Sequence, residues 1–282
     1  MLFDSQKKYL LYDGAMGTML QKAGLKPGEK PDLMNITAPE AVEKIHKMYV
    51  DAGSDIICTN TFGSNRLNLK DTGYTPEEII TAAVEIAKRA SAGRAKVALD
   101  IGSTGHLLEP YGDLEPEDAY EVFKQMAVAG ENAGADFVSI ETMSDLGELR
   151  EAMSAVRDNT GLPMLVTMTF EKGGRTFMGA SVEDFVKLAE ELGAEAIGLN
   201  CSLEPPAMAD TARLLFETTK LPVIIKPNAG LPDGESGKYH TDAELFAQQM
   251  LPFAEMGAKI LGGCCGTTPE YIAALKRGLD SL

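Results

Sequence analysis

Three cysteines carry the strongest chemical signal: Cys201 in the stretch GLNCS, and the adjacent pair Cys264 and Cys265 in GGCCG. Three thiolates leave one tetrahedral position of a zinc ion free, which suits a catalytic metal better than a closed structural one. The spacing alone is a weak signal, because 62 residues separate Cys201 from Cys264 and no close zinc-finger pair is present. Neighbouring side chains of a regular strand point to opposite faces. Cys264 and Cys265 therefore reach one object only if the backbone turns, which Gly262, Gly263 and Gly266 permit. Two other readings fit the same residues: a strained vicinal disulfide, or small side chains filling space beside a tight turn. Cys58, inside the apolar run DIICTN, reads as a small buried hydrophobe.

The elements that must position these thiols are legible as a repeat. Short apolar runs occur at residues 10–13, 55–60, 96–102, 136–142, 164–170, 195–202, 222–229 and 259–266, each followed by a stretch long enough for a helix. Glycines in DAGSD, ENAGAD, ELGAEA and EMGAK supply left-handed helix exits directly before a strand. Eight such β/α units predict a (β/α)8 TIM barrel, with a doubly wound open sheet as the competing architecture. Nothing resembling a linker divides the chain, so residues 1–282 are expected to form one domain. Pro252 should kink or divide the last long helix. At the start of that after the cysteine pair, Thr267, Pro269 and Glu270 read as N-cap, first-turn proline and capping acid.

Polar residues cluster where these strands end: Asp13, Thr59 with Asn60, Asp100, Glu141 with Thr142, Thr169, Asn200 with Cys201, Asn228, and the cysteine pair. In a barrel those ends share one mouth, so Cys201 on strand six and Cys264–Cys265 on strand eight can converge. The first loop, DGAMGTMLQKAG, lacks the spacing of a phosphate loop. The 63–76 connection and the stretch LPDGESGKYH are the candidates for mobile or substrate-covering loops. None of His46, His106 and His240 has the neighbours of a serine-type triad.

Composition excludes several classes. Acidic residues outnumber basic ones by 42 to 26, and no basic cluster offers a nucleic-acid surface. No apolar run is long enough to span a membrane, the N-terminus lacks a signal-peptide core, and four unevenly placed cysteines make no secreted disulfide framework. Reduced thiols and a cytoplasmic location are expected.

The stretches DGAMGTMLQ, DIICTNTFGSNRLNL, DIGSTG, the Glu141–Thr142 pair, GLNCS and GGCCGTTPEYI together resemble the homocysteine S-methyltransferase family, over essentially the whole chain. The resemblance is strongest to the homocysteine-binding module of cobalamin-dependent methionine synthases. It implies a (β/α)8 barrel with zinc on Cys201, Cys264 and Cys265, and methyl transfer to the sulfur of L-homocysteine, giving L-methionine. It also implies that Asp13 and Glu141 lie near the substrate amino group, that backbone donors face its carboxylate, and that Asn228 approaches zinc when substrate is absent. Its DGAMGT form points to methylcobalamin as donor, presented by a corrinoid-binding domain or protein, since this chain shows no DxHxxG motif and no second barrel. The alternatives are a stand-alone enzyme using S-methylmethionine and a non-catalytic homocysteine-binding module.

Overall fold

A computed structural model describes residues 7–230, 239 and 241–282. Eight parallel strands, β1 (Leu10–Leu11), β2 (Ile56–Cys58), β3 (Lys96–Ile101), β4 (Phe137–Met143), β5 (Met164–Met168), β6 (Ala196–Asn200), β7 (Val223–Lys226) and β8 (Ile260–Leu261), pair in the order β1-β8-β7-β6-β5-β4-β3-β2. A parallel bridge between Tyr12 and Ile56 joins the two ends of that order. The sheet is thus a barrel, and the open-sheet alternative is excluded.

The helices are α1 (Met16–Lys22), α2 (Met34–Thr37), α3 (Pro39–Ala52), α4 (Pro76–Ser91), α5 (Pro116–Asn132), α6 (Leu146–Asn159), α7 (Val182–Glu191), α8 (Pro205–Thr218), α9 (Ala243–Met256) and α10 (Pro269–Asp280). Their ends follow local chemistry. Thr75 with Glu78 and Ser181 with Asp184 form capping boxes that satisfy the first amides of α4 and α7. Gly53, Gly134, Gly193 and Gly257 all take the left-handed conformation expected at the exits into the following strands. Pro252 does not divide α9, which runs unbroken to Met256. It lies near the end of the helix and removes a single backbone donor there, and Phe246, Met250 and Phe253 of the same helix are fully buried.

The two-residue period of the strands separates two cores. Leu99, Val138, Ile140, Val166, Ile197, Ile225 and Leu261 face outward into the main helix-packed core. Leu10, Tyr12, Ile56, Cys58, Ala98, Phe137, Leu165, Ala196, Ile224 and Ile260 fill the barrel interior. Two or four residues further along the inward phase, the chemistry changes to Asp100, Ser139, Glu141, Thr167, Asn200 and Lys226, all buried. The apolar plug is therefore the floor on which a polar layer stands. Phe137 is a fully buried aromatic in that plug, and truncating it to alanine should cost about 3–5 kcal/mol.

The first loop winds into α1, and the 63–76 connection is pinned where it starts: Asp32 Oδ1 accepts from the Gly63 amide (3.1 Å) and the Ser64 hydroxyl (2.6 Å). LPDGESGKYH falls, apart from Tyr239, outside the described residues, as does His240. His46 is fully buried in α3, and His106 is exposed in the connection after β3. No helix among the described residues is long and apolar enough to cross a membrane.

Candidate metal centre and substrate pocket

Cys201 follows β6, and its amide donates to the Lys226 carbonyl at 3.0 Å. Cys201 and Ser202 both take left-handed backbone angles (φ 59° and 45°), as does Thr142 beside Glu141 (φ 61°). Non-glycine residues are held so only where surrounding structure over-determines them, and such strain concentrates at functional sites. Here the Ser202 hydroxyl is tied to the Phe170 carbonyl (2.8 Å), and Asn200 accepts from the Thr142 amide (3.0 Å).

Cys264 and Cys265 sit on a tight turn just after β8. The Thr267 amide and hydroxyl both donate to the Cys264 carbonyl (3.1 and 2.6 Å), so this side chain fixes the turn instead of capping α10. The N-cap of α10 is Thr268, which makes no side-chain cap bond. Gly266 has φ +83°, and a Cβ there would come within 2.5 Å of the Tyr239 ring, so only glycine fits. The Cys264 amide donates to the Pro227 carbonyl (2.9 Å) and the Cys265 amide to Asn228 Oδ1 (3.0 Å). Asn228 thus buttresses the cysteine turn from the end of β7.

The three sulfurs lie within 4.8 Å of one another, with Cys201 and Cys265 4.0 Å apart. Sulfurs bonded at about 2.3 Å to a tetrahedral zinc would be separated by about 3.8 Å, so the cluster fits that ion without rearrangement of the backbone. All four cysteines are free thiols. Hydrogen bonds from Cys264 and Cys265 pull the Cys201 thiol down to about 3, while the same contacts push Cys264 up. The three thiols therefore titrate as one coupled group, and their mutual hydrogen bonds favour a negative charge within the trio.

Beside the sulfurs opens a cavity of about 460 Å³, lined among others by Asp13, Thr18, Asp32, Asn60, Phe62, Asp100, Glu141 and Lys226. It falls within the usual range for small-molecule sites. Asp13 is buried, and its Oδ2 accepts from the Cys58 amide at 2.8 Å. Burial pushes its carboxyl up to about 7, opposed by Lys226. Glu141 accepts a hydrogen bond from the Lys226 ammonium. The structure therefore brings Asp13, Glu141, Cys201, Cys264 and Cys265 to one pocket, with Asn228 behind the cysteine turn.

Three residues were undervalued by the sequence. Lys226 is the counter-charge of the polar layer, its ammonium also 4.2 Å from the centre of the Tyr12 ring. Cys58 and Asp100 line the pocket and lie, with Glu141, within 4.8 Å of each other at their ligand atoms. Asp100 was visible only as a strand-end acid. Lys226 was visible only as the lysine that ends an otherwise apolar strand.

Comparison with known proteins agrees with this geometry. Residues 10–279 match the family described as homocysteine S-methyltransferase. Methionine synthases of Mycobacterium leprae and Mycobacterium tuberculosis are each 31% identical over 287 residues, covering 94% of this chain. The chain spans about a quarter (24%) of the length of those relatives. The metallated form of the homocysteine methyltransferase MmuM from Escherichia coli superposes with a TM-score of 0.84 at 23% identity, covering 96% of both chains, a likeness of fold. The chain belongs to the homocysteine S-methyltransferase family.

Proposed function

We propose that this chain methylates the thiol of L-homocysteine, giving L-methionine, with Cys201, Cys264 and Cys265 as the ligands of one zinc ion and residues 1–282 as one methyltransferase domain. The observation that carries this reading is the convergence of the three sulfurs at the edge of a small, acid-lined cavity. A free thiol has a pKa near about 8.5 and is mostly protonated at neutral pH, whereas its thiolate is the nucleophile. Zinc would stabilise the substrate sulfur as thiolate, and soft thiolate ligands suit that ion. The chain's own groups do the rest. Asp13 and Glu141 offer carboxylate acceptors for the substrate ammonium, which needs them once removed from water. Asn228 holds the Cys265 amide and so keeps the turn in place.

The donor is revised from the sequence expectation. Methylcobalamin and a corrinoid-binding partner draw no support from the pocket, and we take S-methylmethionine, a small sulfonium cation, as the donor. Asp13, Asp32, Asp100 and Glu141 give the cavity more carboxyl acceptors than Lys30 and Lys226 give ammonium donors, which favours a guest of amino-acid size that carries a cationic group. The likeness of fold to the homocysteine methyltransferase MmuM of Escherichia coli accords with this reading. In that reaction a sulfonium S–CH3 bond breaks, a new S–CH3 bond forms on homocysteine, the homocysteine thiol proton is released, and both partners leave as methionine.

The likeness to methionine synthases of about four times this length supports a second reading, in which the methyl group arrives on methylcobalamin carried by another domain or protein. Assays of the zinc-loaded chain with L-homocysteine and either donor decide between them. Turnover with S-methylmethionine is the expected result. Turnover only with methylcobalamin would restore the second reading, and none with either donor would overturn the proposed activity.

A further inference from the structure

Among the buried acids of the pocket, Asp100 stands apart. It points inward from β3 at the level of Ser139 on β4, it is 8% exposed, and it lines the cavity. Its Oδ1 is fully buried without a hydrogen-bond partner among the described residues. A buried carboxyl oxygen left without a donor is costly, and its persistence points to a partner that arrives from outside. Its carboxylate lies within 4.8 Å of that of Glu141, which is already engaged by Lys226. Asp13, Asp100 and Glu141 share a single buried ammonium, and burial together with the neighbouring Glu141 pushes the Asp100 carboxyl up, so a cation arriving beside it is what would favour its ionised form.

Two kinds of cation could complete this set. A metal ion would need Cys58 as a thiolate ligand, since Cys58, Asp100 and Glu141 form the only other ligand-spaced cluster among the described residues. Burial, however, holds that thiol protonated, with Asp13 and Glu141 adding to the effect, and a hydrogen bond from Lys226 already occupies Glu141. A primary ammonium needs only acceptors, and Asp100 offers an unused one. Resting on the homocysteine reading above, we propose that Asp100 is a specificity-determining residue that accepts a hydrogen bond from the substrate's α-ammonium and so selects amino-acid thiols over other thiols.

The test is calorimetric binding of L-homocysteine and of 4-mercaptobutyrate, which keeps the thiol and carboxylate and lacks the ammonium, to the zinc-loaded chain. Wild type should prefer homocysteine by on the order of tenfold or more, the scale of a hydrogen bond to a charged group. Asp100→Asn should lose most of that preference by weakening homocysteine while leaving 4-mercaptobutyrate within about twofold. Asp100→Ser serves if the asparagine variant folds poorly, and zinc content and melting temperature are checked on each. Equal affinity of wild type for the two thiols, an equal loss of both in the variant, or a second bound zinc that the variant lacks would each overturn the assignment. Wild type that binds neither thiol would bring down the homocysteine reading itself. Homocysteine binding with an unchanged preference in the variant would remove only Asp100.

Discussion

Inside the barrel mouth the ammonium of Lys226 donates to the carboxylate of Glu141 and lies over the ring of Tyr12. Both charged side chains are almost fully withdrawn from solvent (4% and 11% exposed). Removing one member of a buried pair strands the other, at a cost of about 3–5 kcal/mol, whereas removing both is often far less damaging. Lys226→Met should therefore destabilise strongly, and Glu141→Gln combined with Lys226→Met should recover much of the loss. Chemical denaturation of the two single variants and the double variant gives the coupling directly. Simple additivity would show that the pair does not act as a unit.

Metal content tests the ligand assignment. One zinc per chain is expected, with Cys201→Ser, Cys264→Ser and Cys265→Ser each losing it or holding it far more weakly, because a neutral hydroxyl replaces a soft thiolate. Cys58→Ser should keep its zinc, since that thiol belongs to the pocket floor. Elemental analysis of the four variants is the check, and full occupancy in the first three would reject the ligand set.

The turn that carries the cysteine pair makes a backbone prediction. At Gly266 any side chain meets both a left-handed φ and the Tyr239 ring. Gly266→Ala should cost about 1–3 kcal/mol of stability and weaken zinc retention against a chelator. Zinc retention equal to wild type would mean that the turn is not needed to aim Cys264 and Cys265.

Asp13 gives the stability of the metal-free chain a specific pH dependence. Its folded carboxyl is raised to about 7, chiefly by burial, so the folded state holds a proton that the unfolded chain releases near its ordinary value of 3.8. Folding is then favoured most below that ordinary value and loses stability as pH rises towards 7, by roughly 4 kcal/mol across the window. The stability difference between wild type and Asp13→Asn, measured at pH 4.5 and 7.5, should shift in favour of the variant at the higher pH. A pH-independent difference would contradict the raised value.

What the sequence made legible follows from how a barrel is built. Outward residues such as Val138, Val166 and Ile197 meet helices, while inward ones such as Phe137 and Leu165 meet each other, so the strands read as nearly continuous apolar runs. The same property hides the inward phase. Lys226 ends the run VIIK, and nothing in that run says that its ammonium turns inside to Glu141. Asp100 was seen as a strand-end acid, yet its missing partner is a property of three neighbouring strands and not of its own segment. The anchor of the 63–76 connection was not legible, because Asp32 lies about thirty residues earlier. Left-handed angles at Thr142 and Cys201 were likewise invisible, since glycine is the residue that normally announces them.

The central claim is that the substrate's sulfur completes the cysteine site, and zinc-edge X-ray absorption before and after addition of L-homocysteine tests it most directly. Without substrate the metal should show three sulfur neighbours and one nitrogen or oxygen neighbour, with the Asn228 side chain or water as the source. At saturating homocysteine it should show four sulfur neighbours, with release of the thiol proton. A shell that keeps three sulfurs and one lighter atom at saturation would contradict activation of homocysteine by the Cys201, Cys264 and Cys265 centre.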